Sequence, residues 1–504
     1  MPSGDAESCG LNNGVGNIIV TGHNRDAVQN VFHHAENISN QVKTCLHWMS
    51  PDQLLSQQPE CDLLLIDEAA CIHLHKLENI LRQYPRIAMA TTVHGYEGTG
   101  RGFMLRFHTL LDRLTRGWKQ VPLNTPIRWS TNDPLEQLIN NLLVLDAELP
   151  VIVPEESLHK DCQFEKLDSS RLCDDEKLLR EVFSLLVLAH YKTRPKDLQL
   201  LLDNQNLQIY RLAFDTGSGT KTVAVALLVD EGVLNQKDSI KIFTGDRRPP
   251  GHVVAEILAS QLGLPHAATL SMGRIMRVVV HPDWQRHGFG TQLVTTICNS
   301  PGLSFDLIGT NFSLANGLAG FWRKCGFSPV RIGLTKSSEG GSNSALYLLP
   351  RSESGRATLQ QARQSFARNL TAQTRSVLRN VEPEILAEVL LGDQILLEDL
   401  DEQSLLDAAG YCFGIRPAES ISSTLTRVAL NGLVLNQISE PELVVERLLQ
   451  GKCWQNCSGL DGDQGRRQGS QRIHSAIVDY LNRTYRHKLE AARKKLIEGS
   501  DPVH

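Results

Sequence analysis

The chain has 504 residues, 41% hydrophobic and 21% charged, and a net charge of −5, which is the composition of a soluble globular protein of two to four domains. No apolar run approaches the ~18–20 residues that span a bilayer, and the polar start MPSGDAESCGLNNGVG lacks the apolar core of a secretory signal. The 11 cysteines are scattered and odd in number, which suits a reducing cytoplasm better than a disulfide framework.

NIIVT (Asn17–Thr21) predicts a short buried strand, and DAVQNVFHHAENI a helix after it. CDLLLIDEAA (Cys61–Ala70) predicts a second buried strand that delivers Asp67 and Glu68 at its C-terminal edge. It resembles a Walker B segment, in which Asp67 would hold Mg²⁺ through water and Glu68 would orient the attacking water. A solvated strand end is the plain alternative. IAMATTV (Ile87–Val93) predicts a third parallel strand, followed by HGYEGTGRGF, an amphipathic helix and Thr125-Pro126-Ile127-Arg128-Trp129. Strands alternating with helices predict an open α/β sheet with ligands at the strands' C-terminal ends.

Pro150–Asp174 reads as a connection with little periodicity. An apolar helix follows from Leu178 to His190, then DLQLLLD, then the strands LQIYRLAF and TVAVALLV. Gly217-Ser218-Gly219-Thr220-Lys221-Thr222 between those strands has the letters of a phosphate loop but the context of a hairpin turn. RRPPG and the helix VVAEILASQLG lead to RIMRVVV (Arg274–Val280), a β-branched run that predicts a buried strand. His281-Pro282-Asp283 breaks it, and Gln285-Arg286-His287-Gly288-Phe289-Gly290-Thr291 opens a helix. Such a turn offers free backbone N–H groups and a positive dipole end, and its glycines let a diphosphate approach the backbone.

FWRKCGF (Phe321–Phe327) predicts a short helix and a strand, KSSEGGSN a loop, and ALYLLP a strand. After Pro350 the chain turns helical, with Arg363, Arg368, Arg375 and Arg379 in the first long segment. Val381–Ala408 carries nine acids and no Lys or Arg, whereas Gln464–Leu496 carries nine Lys/Arg against two acids. Those cations, with Tyr480 and Tyr485, suit RNA backbone contacts and stacking; a solvated helix face is the alternative. Cys453 and Cys457 have no second ligand pair nearby to make a zinc site.

The strand–HP–QRHGFGT–helix block resembles the acetyl-CoA site of GNAT acetyltransferases. With LLLIDEAA, TTVHGYEGTGRGF, PIRW, AHYKTRPKDL and RRPPG in the same order, nearly the whole chain resembles the bacterial tRNA(Met) cytidine acetyltransferases. The resemblance implies an α/β helicase-like ATPase module over 1–149, a GNAT α+β domain over 150–350 and a helical tRNA-binding domain over 351–504. It implies acetyl-CoA held by Val278, Val279 and Val280 along the pantetheine and by Gln285 to Thr291 at the phosphates, with Lys324 near the coenzyme. It implies ATP or GTP with Mg²⁺, with Arg128 on the nucleotide phosphates, and elongator tRNA(Met) as partner, with no membrane and no obligate protein partner. A Walker A loop is expected upstream of NIIVT, where only polar residues stand, so the chain is expected to be shortened there and ATP binding impaired. His190, a titrating group at a helix end, is the preferred general base, with a helix-capping role as its alternative; His281 is the second candidate. Where relatives carry an acid before the FW helix, this chain has Asn316-Gly317. The expected activity is acetylation of the 4-amino group of the wobble cytidine. Acetylation of a protein or small amine, or a non-catalytic RNA-binding remnant, are the alternatives.

Overall fold

The computed structural model describes residues 16–22, 24–26, 28–38, 45–91, 100–127, 129–145, 149, 162–189, 195–215, 219–336, 342–393, 397, 399–458, 460 and 462–498. The chain divides into two compact units, Met1–Leu228 with Arg277–Thr296, and Val229–Met276 with Ile297–His504.

The first unit contains a four-stranded sheet of order β2-β1-β3-β4, built from β1 (Asn17–Thr21), β2 (Cys45–Trp48), β3 (Leu63–Ile66) and β4 (Ile87–Met89). Every neighbouring pair is parallel. Alternate residues of β3 serve opposite faces. Leu64 and Ile66 pack with Leu77, Ile80 and Leu110, while Leu65 packs with Ile18, Val20 and Val28. Burial on both sides is why LLLI is uninterrupted by polar residues. Ser50 starts the helix Pro51–Gln57 with a capping box to Gln53.

A second, seven-stranded sheet has the order β10-β11-β9-β8-β7-β6-β5. Its strands are β5 (Cys162–Leu167), β6 (Leu207–Asp215), β7 (Thr220–Gly232), β8 (Ser271–Val280), β9 (Leu307–Ser313), β10 (Ser328–Lys336) and β11 (Asn343–Pro350). β5 and the helix Ser169–Asp174 lie within the stretch that reads as a bare connection in the sequence. β5 is only six residues long and mostly half-exposed, so its apolar signal is weak. β6 ends at Asp215 and β7 begins at Thr220, and residues 216–218, where the hairpin reading of Gly217–Thr222 falls, lie outside those described. In the second unit β8 runs parallel to β9, pairing Met272 with Leu307, and β9, β11 and β10 are successively antiparallel.

The C-terminal helices belong to the second unit with β9, β10 and β11. No linker separates them at residue 350. Arg351 N–H donates to the Asp306 carbonyl (2.8 Å), Ser352 Oγ to the Asp306 carboxylate (2.6 Å), and the helix Glu353–Arg375 begins there. Among the described residues no helix is long and apolar enough to cross a membrane.

Candidate active site

β8 ends at Val280, and His281 N–H donates to the Val223 carbonyl (2.8 Å). Pro282–Trp284 forms one 3-10 turn, in which the His281 ring Nδ1 accepts from Asp283 N–H (3.3 Å). That bond and its deep burial make His281 a cap at the strand end rather than a free base. Trp284 is buried against Phe214 and Phe289, with ring centroids 5.0 and 5.8 Å apart, so aromatic packing fixes both ends of the turn.

Between these anchors Gln285, Arg286, His287 and Gly288 are exposed. Gln285 Nε2 donates to the Val280 carbonyl (3.2 Å), and Arg286 (φ +66°) and Gly288 (φ +91°) occupy the left-handed region. A non-glycine residue held there is strain of the kind that concentrates at functional sites. A Cβ on Gly288 would meet nothing within 4 Å, so the turn opens onto free space. Gln292 N–H makes the first helical bond, to Gly288 O (2.9 Å), and Gly290 and Thr291 lie in the turn ahead of that donor. Exposed backbone amides at a positive dipole end suit a diphosphate, so this turn fits the coenzyme. Phe289 turns its ring into the core, which leaves only its backbone to face a ligand. Val278 and Val280 are half-buried and Val279 is buried. On the same strand Arg277 pairs with Asp197 (3.0 Å), and burial draws its guanidinium below the usual arginine range.

Lys324 is exposed at the end of the helix Leu318–Lys324 in the second unit. Gly317 has no side chain to cap that helix. Glu388 supplies the cap instead, accepting from Gly317 N–H (2.9 Å) and Gly320 N–H (2.8 Å). This residue escaped sequence reasoning; the only local signal was a helix start with no capping side chain.

In the first unit Asp67 follows β3, and its N–H donates to the Thr21 carbonyl (2.9 Å). Glu68 is left-handed (φ +47°). Burial pushes the Asp67 carboxyl above its ordinary value, partly offset by a hydrogen bond from the Glu68 amide. Beside it the Thr21 hydroxyl is fully buried without a partner. Among the described residues no group of three or more His, Cys, Asp or Glu could hold a metal. Any Mg²⁺ here would therefore rest on Asp67 and a ligand's phosphates. Arg128, His190 and residues 92–99 and 337–341 lie outside the described residues.

The terminal helix Gly462–Glu498 bends at Tyr485 and exposes Arg466, Arg467, Arg486, Lys488 and Lys494. Tyr480 is fully buried, so it cannot stack on a base, contrary to the sequence reading; its ring sits edge-on to half-buried Tyr485. Arg363, Arg375 and Arg379 are engaged internally, with Asp393, Thr426 Oγ1 (2.7 Å) and the Gly451 carbonyl (3.0 Å), while Arg368 is exposed.

Residues 6–146 match the helicase domain of the RNA cytidine acetyltransferases NAT10/TcmA, and residues 181–300 match GNAT acetyltransferase 2. The tRNA(Met) cytidine acetyltransferase TmcA of Nitrosococcus halophilus is 39% identical over 496 residues, covering 94% of this chain and 65% of that protein. The Vibrio cholerae protein of the same name is 33% identical, covering 92% and 65%. The chain thus spans just under two thirds of the length of these relatives. Arabidopsis thaliana NAA60 in complex with acetyl-CoA matches 38% of this chain and 98% of that structure at 14% identity, with a TM-score of 0.26, too low to add to the reading.

Proposed function

We propose that the chain belongs to the tRNA(Met) cytidine acetyltransferase family and that it transfers an acetyl group from acetyl-CoA to the 4-amino group of the wobble cytidine of elongator tRNA(Met). The observation that carries this reading is the exposed, left-handed turn at Arg286 and Gly288, leading from β8 into a helix N-terminus.

When bound, acetyl-CoA supplies an activated acetyl group. The amides of Gly288, Gly290 and Thr291 would hold its diphosphate, and Val278, Val279 and Val280 would offer the strand beside its arm. Lys324 is assigned to the coenzyme on the family resemblance alone. The cytidine 4-amino lone pair is delocalised into the ring, so the chain must position the base and remove a proton as the bond forms. With His281 committed as a cap, His190 is the proposed acceptor of that proton. Nucleotide binding by Asp67, Glu68 and Arg128, with Mg²⁺, is the second activity proposed for the first unit, and no step of acetyl transfer runs through it. The domain limits 1–149, 150–350 and 351–504 follow the same assignment. Nine cysteines among the described residues stand outside any disulfide, which supports a reducing, cytoplasmic setting.

The test is incubation of the full chain with acetyl-CoA and tRNA(Met), followed by nucleoside mass spectrometry. Acetylcytidine at the wobble position is expected. Coenzyme binding without acetylated RNA would move the acceptor to a protein or amine, and no coenzyme binding would leave an RNA-associated protein without this chemistry.

A further inference from the structure

β8 carries a largely buried cation beside the valines assigned to the coenzyme, and the chemistry above leaves it unused. Arg277 stands one residue ahead of Val278, with its side chain 12% exposed. Its Nη2 donates to Asp197 Oδ1 (3.0 Å) in the first turn of the helix Pro195–Asp203, and no further partner for it stands among the described residues. Arg211, in the same unit and 4% exposed, shows the contrast of an arginine that serves structure. Its Nε donates to Glu165 (2.8 Å), its Nη1 to Thr222 Oγ1 (3.2 Å) and its Nη2 to Thr220 Oγ1 (3.4 Å), so every nitrogen is engaged. Arg277 uses a single N–H of the five that a guanidinium offers. Whichever hydrogen of Nη2 Asp197 takes, one parallel pair of N–H groups stays free. It is the pair shared with Nη1 if the bond lies on the Nε side, and the pair shared with Nε if it lies on the other. Neither free nitrogen is sealed in the core without a partner, so this fork opens to solvent.

We infer that Arg277 selects the acceptor base, its free pair of N–H groups donating to N3 and O2 of the cytosine whose 4-amino group is acetylated. The inference rests on the acetyl transfer proposed above and adds the residue that recognises the base. Counted back along β8 from the diphosphate turn, Val280, Val279 and Val278 come first and Arg277 next. An arm laid along those valines therefore brings its thioester to the level of Arg277, and the attacking amine must meet it there. Cytosine places two acceptors in a row beside its exocyclic amine. Adenine and guanine offer no such row, since at most one acceptor follows the amine on either side. An arginine can only donate, so its fork fits the cytosine edge and leaves the purine edges unmatched. Charge does not carry the choice. Asp197 neutralises Arg277, and a neutralised pair with open N–H groups suits an uncharged base better than a phosphate or an oxyanion.

The experiment compares acetylation by the full chain of two tRNA(Met) molecules, one with cytidine and one with 2-thiocytidine at the wobble position, alongside calorimetric titration with acetyl-CoA. Sulfur is a weak acceptor, so wild type should lose about tenfold in kcat/KM on the thio-substituted RNA. Arg277→Lys keeps a cation for Asp197 and loses the fork. It should lose about tenfold on the cytidine RNA, lose nothing further on the thio-substituted one, and bind acetyl-CoA within twofold of wild type. Asp197→Asn keeps the fork, so it should retain the tenfold sensitivity to sulfur whatever it loses in a thermal melt. An arginine that only held Asp197 would leave the sensitivity to sulfur equal in wild type and Arg277→Lys, and that result overturns the inference. Loss of that sensitivity in Asp197→Asn overturns it too, and decides the matter if the lysine variant fails to fold. A tenfold loss of acetyl-CoA affinity in Arg277→Lys would put the fork on the coenzyme and has the same consequence. If wild type makes no acetylcytidine from the cytidine RNA, the proposed acceptor fails and this inference falls with it.

Discussion

Replacing Gly288 by alanine separates two effects that coincide at the coenzyme turn. The first is intrinsic to the backbone: at φ +91° an added Cβ costs roughly 1–2 kcal/mol. For a unit of this size that is a fall in Tm of about 3–6 °C. The second depends on a ligand. The new methyl meets nothing in the protein within 4 Å, so it projects into the space the diphosphate would fill. Losing even one charge-assisted amide contact, worth about 1.5–3 kcal/mol, raises the acetyl-CoA Kd at least tenfold. Gly263→Ala is the matched control, being left-handed (φ +71°) with open space around its Cβ. Both variants should lose similar stability in a thermal melt, and only Gly288→Ala should lose affinity in a calorimetric titration with acetyl-CoA. The reasoning is refuted if Gly288→Ala binds the coenzyme within twofold of wild type.

Two further outcomes follow from buried charge. Burial raises the Asp67 carboxyl, so the folded chain holds that proton more tightly than the unfolded one and stability falls as pH rises through the carboxylate range. Asp67→Asn should therefore raise the Tm of the first unit, more at pH 7 than at pH 4; an equal or opposite difference in melts at the two pH values would contradict the assignment. Glu231 is fully buried, pairs with Arg274 and accepts from Val254 N–H (2.7 Å). Glu231→Gln leaves the largely buried Arg274 guanidinium without a counter-charge, and urea unfolding should report a loss of about 3–5 kcal/mol. A loss under ~1 kcal/mol would mean the pair matters little.

What the sequence made legible was local. LLLI announces a two-sided buried strand, and Asp67-Glu68 must then sit at its C-terminal end. RIMRVVV followed by His-Pro dictates where β8 stops, and the glycines after it dictate a turn into a helix. Burial of single residues was not legible. Tyr480 reads as an aromatic on a basic helix, yet it lies in contact with Gly432 of a neighbouring helix, a fact that depends on packing partners about fifty positions away. The helix arginines read alike in sequence, but Arg363, Arg375 and Arg379 meet Asp393, Thr426 and Gly451 only once the chain has folded back. β5 was missed for a related reason, since its ladder with β6 supplies the order that its own short, half-exposed pattern does not.

Asn316-Gly317 leaves the FW helix without a capping side chain of its own, and folding supplies a carboxylate from elsewhere in the chain. Glu388 closes the N-terminus of Leu318–Lys324, satisfying two amides that Gly317 cannot reach. From the same helix Arg323 donates to the carbonyls of Glu388 (2.9 Å) and Leu391 (2.6 Å), where the helix Pro383–Leu390 ends. Each helix thus meets the other's unsatisfied end with the charge its dipole favours, negative at the N-terminus and positive at the C-terminus. A Cβ at position 320 would come within 2.9 Å of the Glu388 carboxylate, which would have to shift to admit it. The C-terminal helices are accordingly structural partners of the segment that carries Lys324, and a cut at residue 350 would leave that segment without its cap.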